Sequence, residues 1–176
     1  MRRGRFFALF LAFFLCFAAA SCAMRREIGL DFLKTRSFFA EVEGSLGEGA
    51  DKTDFAARIR VERTEDGEKY EICYHAPEAM EGVTVTLERR GGEERVTASL
   101  GELSVSIPHG AVAGWLMPVE ALLSVADEPP LRLQKSEQGY RFAFDGEKTL
   151  TVDEKGLPIS FISPEISLFV VRIEGF

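Results

Sequence analysis

Cys73 and His75 stand two residues apart in Tyr70-Glu71-Ile72-Cys73-Tyr74-His75. On a strand that spacing puts both side chains on one face, opposite Tyr70, Ile72 and Tyr74. A thiol beside an imidazole could be a nucleophile with its base, or half of a metal site. Two ligands do not make a metal site, however, and the other histidine, His109, has no spacing that ties it to the pair. An ordinary strand position is the better reading of both. Gly44-Ser45-Leu46-Gly47 lacks the glycine spacing of a hydrolase nucleophile elbow and reads as a turn in a hairpin. Carboxylates crowd the stretch from Glu62 to Glu71 and the pair Glu93-Glu94, where they fit solvated hairpin ends. No phosphate loop, zinc spacing or dinucleotide fingerprint is present. The expectation is a protein with no catalytic residue, no metal and no cofactor.

Cys22 has a different setting. Arg2, Arg3 and Arg5 precede an apolar run from Phe6 to Ala20, which ends in Ala18-Ala19-Ala20-Ser21-Cys22. A basic start, an apolar middle and a small-residue end make the layout of a secretory signal. The run holds roughly 15 residues against the roughly 20 that cross a bilayer, so a permanent membrane helix is the weaker alternative. Ala19-Ala20-Ser21-Cys22 resembles the bacterial lipobox, which implies a lipid on the Cys22 thiol and cleavage before it. Ala19 stands where that motif usually has Leu, so plain cleavage after Ala20 or Ala23 stays open. Loss of the signal would remove three arginines and no acid, taking the net charge from −7 to −10. So acidic a chain would be repelled by nucleic acid and by anionic headgroups, leaving the lipid as the expected membrane attachment. Two or more acyl chains hold firmly where one binds marginally. With Cys16 removed and Cys22 acylated, Cys73 would be left alone, so an ordinary apolar core must hold the domain together.

The elements that must position any site follow from residue 38 onward. Phe55, Ala57, Ile59 and Val61 alternate with Asp54, Ala56, Arg58, Arg60 and Glu62, the pattern of a half-buried strand. The alternation returns at Tyr70–Tyr74, Val83–Leu87, Val96–Leu100, Leu103–Ile107, Tyr140–Phe144 and Leu150–Val152. Turn pairs such as Asp66-Gly67, Gly91-Gly92, Gly101-Glu102 and Asp145-Gly146 separate these runs, predicting an antiparallel meander. Trp115, Leu116, Val119, Leu122 and Leu123 recur at helical spacing, predicting a helix of two to three turns with Pro118 in its first turn. Ile166–Ile173 is apolar on both faces, which predicts a central strand covered on both sides.

In order, the chain offers a short helical piece, Phe38-Phe39-Ala40-Glu41-Val42, hairpins, Pro77-Glu78-Ala79-Met80-Glu81-Gly82-Val83, a mid-chain helix, and Asp153-Glu154-Lys155-Gly156-Leu157-Pro158 before the last strands. This order resembles the lipoprotein carriers and receptors of the LolA/LolB type. The resemblance implies a mainly β (α+β) fold: a curved antiparallel sheet, or incomplete β-barrel, with a helical lid over an apolar cavity. It divides the chain into a signal peptide at 1–21, a lipidated tether and short helix at 22–37, and one LolA/LolB-like domain at 38–176. The cavity would be walled by Phe55, Ile59, Val61, Tyr70, Ile72 and Tyr74, with Trp115, Leu116 and Leu122 on the lid. Simple core packing is the alternative for the same residues. The implied protein is a lipoprotein anchored in a bacterial cell membrane or outer membrane, sheltering a lipid, an acyl chain or another hydrophobic small molecule. The alternative is a tethered structural or interaction module with an envelope protein partner. Nucleic acid is not an expected partner.

Overall fold

A computed structural model describes residues 30–47 and 51–175. The expected signal stretch and Cys22 lie outside the described residues. The short helical piece is a single turn and a half, α1 (Asp31–Thr35). Eleven strands follow: β1 (Phe38–Leu46), β2 (Thr53–Thr64), β3 (Gly67–Ala76), β4 (Val83–Arg90), β5 (Glu93–Leu100), β6 (Leu103–Ser106), β7 (Arg132–Ser136), β8 (Gly139–Ala143), β9 (Thr149–Val152), β10 (Pro158–Ile162) and β11 (Ile166–Gly175). Among the described residues a single long helix, α2 (His109–Ser124), lies between β6 and β7.

All eleven strands form one antiparallel sheet in the order β6-β5-β4-β3-β2-β1-β11-β10-β9-β8-β7. Each half is a meander, as short turns between alternating runs require. Gly91 and Gly92, both at positive φ, close the β4–β5 hairpin in a conformation that disfavours side chains with a Cβ. The halves meet where β1 pairs with β11, from Phe38 opposite Gly175 to Leu46 opposite Ile166. A bulge beside Glu41 and Val42 leaves Val171 without an opposite number and shifts the phase of β11. The sheet is curved and does not close, and α2 runs from one of its edges to the other over the hollow. The incomplete barrel with a helical lid is therefore the observed fold.

Phe38, Ala40 and Val42 of β1, Phe55, Ile59 and Val61 of β2, Ile72 and Tyr74 of β3, Val85 and Leu87 of β4, and Leu150, Phe161 and Leu168 of the second half form the buried inner face. Val112, Leu116, Val119 and Leu122 of α2 join the same cluster. Leu33 and Phe38 cap one end, where the Phe32 and Phe38 rings lie 5.4 Å apart.

Four expectations need correction. Helix α2 runs for 16 residues, more than four turns. Pro118 consequently sits in its interior rather than its first turn, and Gly114 loses the donor that a residue with an N–H would supply. β11 is central, but its outer face is uncovered: Phe169 is 51% and Val171 62% exposed. The side-chain alternation fixed its inner face, and no layer packs on the other. Gly44-Ser45-Leu46 is not a turn but the end of β1. Gly44 is there because a Cβ would stand 1.9 Å from the carbonyl oxygen of Ser167 on β11. Two strands, β7 and β10, carry no clear alternation and are not expected from the sequence.

Candidate functional site: the hollow under helix α2

The hollow between sheet and helix is divided by its own side chains. Its middle is full: Ile59, Val61, Ile72, Leu116 and Leu122 are each 0% exposed. Open space remains toward the ends. An apolar cavity of about 320 Å³ lies between α2 and the far ends of β1, β2 and β3, bordered by Leu46, Phe55, Tyr74, Pro77, Met80, Gly114, Trp115 and Met117. A second, of about 400 Å³, lies on the side of β10 and β11 and is bordered by Ala113, Gly114, Met117, Ala121, Phe161 and Ile166, with Lys148, Glu120 and Glu165 at its rim. The two share Gly114 and Met117. A Cβ at Gly114 would meet nothing within 4 Å, so the absent side chain leaves space there.

Each wall has a local reason. Alternation along β1 brings Leu46 to the inner face, four pairs of positions after Phe38. Pro77 opens a 3-10 turn, Glu78–Met80, whose return is fixed by the Gly82 N–H donating to the Tyr74 carbonyl at 2.9 Å. Tyr74 reaches across the hollow and donates its hydroxyl to the Trp115 carbonyl at 2.6 Å, beside the helical turn that Pro118 disturbs. Burial alone pushes the Tyr74 phenol well above its ordinary pKa, keeping it a donor. Phe55 and Tyr74 meet edge to face at 6.3 Å. Trp115, 38% exposed, stands at the mouth.

The opposite end is polar. A recess of about 340 Å³ is bordered by Leu33, Lys34, Arg63, Glu68, Tyr70, Arg89, Glu120 and Asp127. Arg63 donates to the Leu33 carbonyl at 2.7 Å, the Arg36 carbonyl at 2.5 Å and Glu68 at 3.1 Å, strapping α1 to the sheet. Arg89 lies over the Tyr70 ring at 5.5 Å and pairs with Glu94 at 3.0 Å. His109 contacts Glu94 and, at 3.1 Å, Glu120. The Tyr70 hydroxyl donates to Glu68. Burial, with the Glu68 carboxylate second, raises the Tyr70 phenol to about 12. Hydrogen bonds from Arg89 and then His109 hold the Glu94 carboxyl below its usual range. Each cation of this recess already has its carboxylate: Arg63 with Glu68, Arg89 with Glu94, Lys34 with Asp127. An arriving anion would have to break one of these pairs, so the recess joins elements rather than receiving a ligand.

The residues singled out from sequence are thus spread over three places. Phe55, Tyr74 and Trp115 border the apolar cavity. Ile59, Val61, Ile72, Leu116 and Leu122 lie in the packed middle, and Tyr70 borders the polar recess. Leu46, Met80, Gly114 and Met117 were not singled out. The continued alternation from Phe38 could have found Leu46, whereas Gly114 carries no sequence signal of its own. Cys73 is half-buried on the outer face, in register with Arg58 and Thr84, and His75 beside it is exposed. His109 bonds Glu94 and Glu120 instead, across the lid. No helix among the described residues is long and apolar enough to cross a membrane.

No family model matches the sequence, and no curated protein matches it. Solved structures do. An uncharacterized conserved protein from Thermus thermophilus is similar over 90% of this chain and 88% of its own, at 14% identity and a TM-score of 0.51. A domain provisionally named as an outer membrane lipoprotein-sorting protein, from Vibrio parahaemolyticus, is similar over 84% of this chain and 92% of its own, at 12% identity and a TM-score of 0.45. A DUF1329 family protein from Desulfovibrio piger is similar over 83% and 88%, at 8% identity and a TM-score of 0.48. What the chain shares with the Thermus thermophilus protein is the fold.

Proposed function

We propose that this chain is a cell-envelope lipoprotein, held at a membrane through Cys22, whose apolar cavity takes the hydrocarbon part of a lipid or other amphipathic small molecule. The observation that carries the ligand reading is the space bordered by Phe55, Tyr74, Met80, Trp115 and Met117, which is apolar and open to solvent beside helix α2. Its volume of about 320 Å³ is at the lower end of the roughly 300–1,000 Å³ typical of small-molecule sites, enough for one chain or ring system. Each methylene moved from water into such a space contributes about 0.8 kcal/mol, so affinity needs no catalytic group and no cofactor. The two methionines supply adaptable walls that suit a flexible guest.

Trp115 is the only tryptophan of the chain and stands at this mouth, which makes it the reporter. Titration with a fatty acid brominated along its chain is expected to quench Trp115 fluorescence, because bromine quenches at near contact. Gly114→Leu, which adds a side chain at the border shared by the two spaces, is expected to weaken the quenching while leaving the fold intact. Unquenched emission in the wild-type chain would refute the ligand reading. The anchor is tested separately: labelled palmitate should enter the wild-type chain and not Cys22→Ser.

A second reading, a tethered interaction module, is supported by the complete filling of the middle of the hollow by Ile59, Ile72, Leu116 and Leu122. Absent quenching together with a stoichiometric envelope protein recovered from solubilised membranes would favour it.

A further inference from the structure

The two edges of the sheet are protected differently. β7 carries Arg132 and Lys135, both exposed, and charged side chains on an edge are a common device against strand addition. β6 has no such device. Leu103-Ser104-Val105-Ser106 contains no charge, no proline and no bulge, all four residues are exposed, and Leu103 is 76% and Val105 58% exposed. Leu100, 53% exposed, lies opposite Leu103 on β5 and extends the same apolar strip.

The hydrogen bonding of β6 settles which groups remain free. The Ile107 N–H donates to the Val96 carbonyl at 3.0 Å, so Ile107 faces β5 with its backbone. Period two then turns the backbone groups of Val105 and Leu103 toward β5 and those of Ser104 and Ser106 outward. We propose that β6 is a self-pairing strand: two copies of this chain join edge to edge by antiparallel β6–β6 addition about a two-fold axis through Val105.

The strand is complementary to itself in that register. Ser104 faces Ser106 of the second copy and the reverse, which satisfies the four outward backbone groups on each side. Val105 meets Val105, and Leu103 meets Ile107, so every apolar side chain on the inner face finds an apolar partner and every serine a serine. Glu102, next to the strand, is carried to the two ends of the pair, about 20 Å from its counterpart. The same operation at β7, about Gln134, would set the charged Lys135 against Leu133 and Arg132 against Ser136, so neither charge would find a partner. A closed two-fold contact of this kind uses one patch twice and cannot grow into a filament, because β7 refuses the next copy. Four residues of strand bury less than the roughly 800 Å² per partner of a standard interface, so the dimer is a dissociating one.

Opposed residues between hydrogen-bonded pairs stand about 4.5 Å apart at Cα, close enough for a disulfide. The test is oxidation of the full chain carrying Val105→Cys with Cys73→Ser, alongside the same chain without the new thiol and one with Asp66→Cys at the opposite end. A disulfide dimer of twice the chain mass is expected for Val105→Cys, at several-fold the yield of Asp66→Cys. Ser104→Pro removes one outward N–H and no ladder bond, a change that an edge strand tolerates. It should return the yield to background with an unchanged melting curve, as should Leu103→Lys. Equal yields from positions 105 and 66 would overturn the proposal, as would a folded Ser104→Pro chain that still cross-links. So would no cross-link at all, combined with co-sedimentation on phosphatidylcholine vesicles that Leu103→Lys abolishes, which would assign the strand to a lipid surface.

Discussion

Replacing Tyr74 by Phe removes one oxygen atom and leaves every apolar contact of the ring in place. That oxygen donates to the Trp115 carbonyl at 2.6 Å inside the hollow, and Tyr74 itself is 2% exposed. Pro118 withholds its N–H from the Gly114 carbonyl, whereas helical spacing leaves the Trp115 carbonyl the Val119 N–H, so the Tyr74 hydroxyl is a further donor that ties the lid to the sheet. An ordinary exchangeable hydrogen bond of this kind contributes about 0.5–1.5 kcal/mol. Tyr74→Phe is therefore expected to destabilise by about 0.5–1.5 kcal/mol, which in a domain of this size lowers the melting temperature by about 2–4 °C per kcal/mol. Urea denaturation at an unchanged m value measures it. A Tyr74→Phe chain as stable as the parent would refute the claim that this hydroxyl ties the lid to the sheet.

Other outcomes follow from the same structure. Leu116→Ala opens a void beneath the lid at a site with 0% exposure and should cost about 2–5 kcal/mol by urea denaturation. Gly44→Ala places a methyl 1.9 Å from the Ser167 carbonyl oxygen, so β1 and β11 must part; a loss above about 3 kcal/mol and early exchange of their amides are expected. The Tyr70 phenol is raised to about 12 in the fold, chiefly by burial and then by Glu68. Its contribution is complete below the ordinary phenol range and is lost as pH climbs from there through about 12, and Tyr70→Phe should flatten the alkaline limb of a thermal stability profile.

Much of the architecture was legible because the strands of the first half write their burial into alternate residues. Phe55 to Val61 and Tyr70 to Tyr74 name their inner faces directly, and paired turn residues fix the meander. β7 and β10 were illegible for a physical reason: at an edge, or beside a proline, burial does not alternate, as the four exposed positions that open β7 illustrate. The extent of α2 was hidden by Pro118, which sequence rules assign to a first turn and which here lies inside the helix. The cavity was half legible. Phe55, Tyr74 and Trp115 were visible as apolar faces, but periodicity reports which way a side chain points and not whether anything packs against it. Ile59 and Phe55 share that face, yet Ile59 meets a filled interior and Phe55 an open one, a difference made by Gly114 and Met117 on an element far away in the chain.

The pairing of β1 with β11 has a consequence in time. The strand at residues 38–46 can complete its hydrogen bonding only when residues 166–175 have arrived, so the middle of the sheet is the last seam to be sewn. Such distant partners make folding slow, on the order of milliseconds to seconds, since a large loop must close before its contacts repay it. Until then each meander is an unfinished half with a raw central border, and a chain interrupted before residue 166 would have two such borders and no way to join them.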